Sequence, residues 1–196
     1  KPTVCLTDPP YGLDLIDSGK NDYRDTGDSS DVLKVLAEKW LPIARRLCPA
    51  VIFTPGIKNA WLYPHPDWIM CWMYQGGTSR SPWGFTSWQP FLCYGKDPSL
   101  ATGNGGRPDA VLMSDPNSTT GIDHPAPKPM KVWHWFIERL SFSTDDVFYE
   151  PFSGSGTTLI ACEQLNRTCV ALELSPGYVA LALERMSLMG VDVKLA

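Results

Sequence analysis

The stretch Phe152-Ser153-Gly154-Ser155-Gly156-Thr157-Thr158 constrains the fold of this chain more than any other. It follows a short apolar run at 147–149 and precedes a helix-forming run at 157–165. Two glycines one residue apart let the backbone turn sharply and approach a ligand closely, and the helix that follows presents its first, unpaired N–H groups to that ligand. Strand, glycine turn and helix in this order open a parallel βα unit. Glu173 stands at the end of the next predicted strand, 168–173, where a carboxylate can accept both hydroxyls of a ribose. A plain strand-to-helix turn would explain Gly-Ser-Gly alone; Glu173 at this spacing favours a nucleotide-like cofactor. No lysine follows Gly156, and Thr157-Thr158 stand there instead, which argues against a phosphate-cradling P-loop.

The same alternation runs through the rest of the chain. Short apolar runs at 3–7 and 50–54 and aromatic-rich runs at 67–74 and 88–94 are predicted strands, while 31–47, 131–140 and 176–188 carry helical periodicity. The predicted fold class is α/β: a mostly parallel sheet with helices on both faces and an antiparallel hairpin strand supplied by 67–94. Two polar, Gly- and Asp-rich stretches, 12–30 and 97–123, are predicted loops, the second a linker. With 196 residues, 43% of them hydrophobic, one domain with a full core is expected. No run approaches the ~20 apolar residues of a membrane helix and no signal pattern opens the chain, so a cytoplasmic protein is expected. The chain starts at Lys1 and reaches its first motif within a few residues, which suggests a domain of a longer protein. Cys5, Cys48, Cys71, Cys93, Cys162 and Cys169 are scattered rather than paired, so buried thiols are expected in place of a metal site. A net charge of −4 requires any positive patch for nucleic acid to be local or supplied from elsewhere.

Asp8-Pro9-Pro10-Tyr11 follows the first predicted strand, at the end where ligands bind in such sheets. Its composition suits an amino group on a flat ring. The lone pair of such an amine is delocalised into the ring; the Asp8 carboxylate and the Pro9 carbonyl can each accept one amine hydrogen and favour the pyramidal nitrogen that a nucleophile needs. Pro9 and Pro10 fix the backbone path and present no N–H donor to repel the amine. Tyr11 offers a face for a base taken out of its stack. A proline-rich turn closed by an aromatic is the unadorned alternative.

These two motifs together resemble the S-adenosylmethionine-dependent amino-methyltransferases of DNA, adenine-N6 and cytosine-N4. Their order, catalytic motif first, resembles the permuted (beta) group. His124-Pro125-Ala126-Pro127-Lys128-Pro129 resembles the His-Pro-x-x-Lys-Pro element that precedes the cofactor loop in that group, and 88–96 resembles its aromatic strand ending in Gly-Lys. The resemblance implies a Rossmann-like methyltransferase fold, S-adenosylmethionine as cofactor and DNA as partner. It implies catalysis by Asp8, Pro9, Pro10 and Tyr11. Cofactor binding would fall to Glu150, Phe152, Ser153, Gly154, Ser155, Gly156, Thr157, Glu173, His124, Pro125, Lys128 and Pro129. Asp at the first motif position resembles the adenine-N6 enzymes more than the cytosine-N4 ones. Relatives acting on glutamine or on guanine in tRNA carry similar motifs with the cofactor loop first.

Three features depart from the family pattern. Glu150 replaces the usual Asp before Pro-Phe, and Gln89 stands where Glu is common. The segment that should hold a DNA reader is only 97–123, with Arg107 its one cation between Lys96 and Lys128. Sequence specificity is therefore expected to be low or to come from a separate domain or subunit, and a homodimer is a further expectation. Cytosine-N4 transfer, and a non-catalytic subunit that keeps the fold and only binds nucleic acid or a partner, are the alternatives. Lys20, Tyr23 and Arg24 suit a target-strand contact or a solvated loop equally. His65 and His134 lack metal spacing, and Trp133 and Trp135 suit core packing.

Overall fold

The computed structural model describes residues 1–10, 30–75, 80–103, 106–113 and 128–194. Tyr11, Lys20, Tyr23, Arg24, His124 and Pro125 fall outside the described residues.

Four strands form from short apolar runs. β1 (Val4–Thr7), β2 (Ala50–Phe53), β8 (Val147–Glu150) and β9 (Thr168–Ala171) are all parallel, with β1 between β2 and β8. β1 and β2 are buried along their whole length, β8 in part, and β9, at the sheet edge, is half-exposed. β3 (Trp68–Met73) and β6 (Trp88–Gly95) pair antiparallel, and β6 pairs antiparallel with β2, so β3 again runs with β1. Between them a separate two-stranded ladder joins β4 (Arg80–Ser81) to β5 (Gly84–Phe85). With β7 (Ala110–Leu112) at one edge, the main sheet has the order β7-β3-β6-β2-β1-β8-β9.

The seventh strand corrects the sequence expectation. β7 (Ala110–Leu112) pairs in parallel with β3, and a single helical turn, α3 (Pro98–Ala101), precedes it. The stretch 97–123 is thus not all linker. An edge strand of three residues in a polar surrounding offers no periodicity to read, and its formation rests on the ladder that β3 presents.

Side chains alternate across the sheet with period two, and helices cover both faces. α1 (Ser30–Leu47) lays Leu33, Ala37, Trp40, Leu41 and Ala44, a stripe at helical spacing, over Cys5, Val51, Phe53 and Leu92. On the other face α4 (Met130–Leu140) and α5 (Thr157–Gln164) bury Trp133, Phe136, Ile137, Ile160 and Ala161 near Val4, Leu6, Ile52 and Phe148. Each such large side chain contributes about 1.5–3 kcal/mol of burial. A short turn, α2 (Gly56–Asn59), follows β2, and α6 (Pro176–Leu188) follows β9. All six cysteines are free, four of them buried, as expected. Among the described residues no helix is long and apolar enough to cross a membrane.

Candidate active site

Because β1 and β8 are parallel neighbours, Asp8 and Glu150 are delivered to the same carboxyl edge, and Asp8 begins the turn directly after Thr7. Glu150 is 2% exposed. Three groups hold it. Thr7 Oγ1 and the Phe152 amide donate to Oε1, and Thr158 Oγ1 donates to Oε2 at 2.6 Å. The Trp133 indole donates in turn to Thr158 Oγ1 at 2.6 Å. One buried carboxylate therefore ties the strand that carries Asp8 to the glycine loop, to the start of α5 and, through Trp133, to α4. Burial pushes the Glu150 carboxyl up to about 7; the bonds from Thr158, Thr7 and Phe152 pull the other way, and the neighbouring charge of Asp8 adds to the rise.

The glycine loop has the expected form. Gly154 and Gly156 adopt positive φ, 51° and 82°. A Cβ on Gly156 would stand 2.8 Å from the Ala182 Cβ of α6, so the residue is fixed by conformation and by space. Ser153 N–H donates to the Leu172 carbonyl, and Arg185 donates to the Ser155 carbonyl at 2.5 Å and to its Oγ at 3.1 Å. Thr157 opens α5. Glu173 lies two residues past the end of β9 rather than within it, and its carboxylate accepts the Gly154 and Ser175 amides at 2.7 and 2.8 Å. It braces the loop, and a carboxylate has capacity for further donors beyond these two.

The structure gives Lys128 a partner that the sequence did not indicate. Its Nζ forms an ion pair with Asp8 Oδ2 at 2.6 Å, with the two side chains 9% and 23% exposed. Lys128 thus touches the first residue of the Asp-Pro-Pro motif. Pro9 is buried beside it, Pro10 half-buried, and Pro129 is the buried residue from which α4 starts. Phe152 meets the Trp40 indole edge-on, centroids 5.4 Å apart, and so has a packing role on the α1 face. His134 bonds to Gln164 Oε1 at 2.7 Å and Trp133 is in the core, matching their structural readings.

Sequence reasoning missed the Thr7, Thr158 and Trp133 partners of Glu150, the Lys128–Asp8 pair, and Arg185. The signal available was residue type alone: a threonine ahead of Asp8 and another after Gly156. Nothing in the spacing sets a partner 143 or 120 residues away. A cavity of about 630 Å³ lies at the opposite, amino edge of the sheet, lined by Ala50, Met70, Cys93 and Arg139 among others, away from this chemistry.

The arrangement can hold a cofactor. The Ser153 hydroxyl is buried with no hydrogen-bond partner among the described residues. The orphaned Ser153 hydroxyl, beside the start of α5, fits a polar ligand laid against this loop.

The family model described as DNA methylase (N6_N4_Mtase) matches residues 56–184. The type II methyltransferase M.HpaI of Haemophilus parainfluenzae is 26% identical over 220 aligned positions, covering 93% of this chain and 67% of that protein. The type II beta methyltransferase M.BslI of Bacillus sp. is 36% identical over 74 residues, 38% of this chain but only 8% of the relative. Among solved structures, the M1.HpyAVI–SAM complex superposes with a TM-score of 0.63 at 18% identity, over 94% of this chain and 89% of that one. The cytosine-N4-specific PvuII DNA methyltransferase gives 0.61 at 17% identity, over 100% and 82%. The chain shares their α/β, Rossmann-like methyltransferase fold.

Proposed function

The chain belongs to this family of DNA methylases, and from that premise we propose that it transfers a methyl group from S-adenosylmethionine to the exocyclic amine of a base in DNA, adenine N6. The observation that carries the reading is the placement of Asp8 and the glycine loop on one sheet edge, fastened together through Thr7 and Glu150. S-adenosylmethionine supplies the electrophilic methyl group when bound. The chain supplies position. Gly154, Ser155 and Gly156 with Ser153 would hold the cofactor, Glu173 would accept its ribose hydroxyls, and the His124 to Pro129 element would help form its methionine end. Asp8 accepts one hydrogen of the target amine and the Pro9 carbonyl the other, so the nitrogen lone pair is directed at the methyl group. Tyr11 stacks on the extruded base. No covalent intermediate with the enzyme is needed.

The motif order marks the permuted group. The domain is proposed to lack a substantial DNA reader of its own, so that specificity is low or comes from another domain or subunit. Transfer of radiolabelled methyl groups to unmodified plasmid DNA, followed by base analysis, tests the reading. N6-methyladenine is expected, and N4-methylcytosine would move the assignment to the alternative base. Asp8→Ala is expected to abolish transfer while calorimetry shows cofactor affinity within about threefold, since the Asp8 hydrogen bond belongs to the base and not to the cofactor. Loss of both together would remove the role given to Asp8.

A further inference from the structure

The hairpin between β3 and β6 has no role in the site described above. Its two-residue ladder pairs Arg80 with Phe85 and Ser81 with Gly84, which leaves Pro82-Trp83 as the turn. Trp83 at that tip is 99% exposed and Phe85 67%. At the foot of the hairpin, Met73 and Trp88 are also exposed, while the Tyr74 amide bonds to the Ser87 carbonyl and continues the β3–β6 pairing. Solvent-facing indoles at this level are unfavourable in a protein with no use for them.

Position says what use. β3 runs in the same direction as β1, so the hairpin rises from the edge that carries Asp8. β3 is the third strand from β1, which at the usual spacing sets it roughly 14 Å from the catalytic strand. That offset puts it beside the site and not in it. A protein partner of ordinary affinity needs about 800 Å² from each side, whereas two aromatic side chains offer about 150–250 Å² each. A single flat ring on a narrow, proline-stiffened tip suits a planar ligand. Base stacks present such faces next to any nucleotide taken out of them.

Building on the proposed function, we propose that the 80–85 hairpin is a duplex-contacting wedge, in which Trp83 stacks on the bases that flank the extruded target nucleotide and offsets the stacking lost there. Extrusion costs a few kcal/mol and an aromatic–base contact is worth about 1–3 kcal/mol, so the two are commensurate.

The test compares the wild-type protein with Trp83→Ala and Trp83→Phe on two oligonucleotides. Both carry the target context found by sequencing plasmid DNA that the wild type has methylated; one is fully paired and the other has an abasic residue opposite the target base. Trp83→Ala is expected to lower kcat/KM on the paired duplex by roughly tenfold or more, and to come within about twofold of wild type on the abasic one, where extrusion needs little help. Trp83→Phe keeps most of the activity on both, and thermal unfolding of both variants matches the wild type. Equal losses on both oligonucleotides would overturn the proposal by making Trp83 a contact to the target base or to the fold. No loss on either would overturn it too, as would a loss accompanied by a changed sedimentation coefficient, which would assign the tip to a second copy. A wild type that methylates no DNA overturns the underlying reading of the site itself, an outcome distinct from all the others.

Discussion

Replacing Glu150 by glutamine should change how stability depends on pH. The carboxyl is raised from 4.5 to about 7, chiefly by burial. A raised acid means that the native state keeps a proton the unfolded chain has already released. The stability this group contributes is therefore fully present below about 4.5 and is lost as pH rises through about 7. Integrated between pH 5 and pH 8 with these two values, the loss is roughly 2–3 kcal/mol. Glutamine keeps a carbonyl oxygen for Thr7 and the Phe152 amide and places an amide nitrogen toward Thr158, the arrangement of a protonated acid that cannot ionise. Any cost of the exchange itself is constant with pH, so the slope isolates the titration. Urea unfolding of both proteins at half-unit steps from pH 5 to pH 8 gives the difference directly. The glutamine variant should gain on the wild type by roughly 2–3 kcal/mol over the range, most of it below pH 7. Parallel curves would refute the reasoning, because they would mean that Glu150 ionises as readily in the folded protein as in the unfolded chain.

Two further outcomes follow from the same edge of the sheet. Gly156→Ala forces a left-handed alanine against Ala182 and should cost about 1–2 kcal/mol in stability, with a larger proportional loss of S-adenosylmethionine affinity by calorimetry than of secondary structure by circular dichroism. Lys128→Met removes the ion partner of Asp8 and should slow single-turnover methyl transfer by roughly 10–100-fold; a fall in cofactor affinity of the same size would return Lys128 to a purely cofactor-binding role.

The strands that build the site were readable because burial on both faces leaves them almost wholly apolar, as in Val4-Cys5-Leu6 and Ala50-Val51-Ile52-Phe53. Gly154 and Gly156 were readable because a loop of positive φ admits little else. β7 was not, since Ala110–Leu112 owes its conformation to its neighbour β3 and not to its own pattern. The buried cluster around Glu150 was illegible for a related reason. Thr7, Thr158 and Trp133 are ordinary residues until the sheet closes, and their hydrogen bonds join segments whose distance along the chain carries no code. Lys128 was found as a motif residue but its partner was not, because a motif gives residue types and the fold decides which of them meet.

β1 lies between β2 and β8, and its link to β8 spans 144 residues from Thr3 to Val147. Contacts that distant form late, after much loop-closure entropy has been lost, so the two halves of the site come into register only when the sheet is complete. A partly folded chain can hold β1 with β2, or β8 with β9, and each pair carries one half of the chemistry and none of the other. Competence is therefore all-or-none in time as well as in space. A folding intermediate of this chain has no means of modifying DNA, and the appearance of activity during refolding should trace the last long-range closure and lag behind the bulk of the secondary structure.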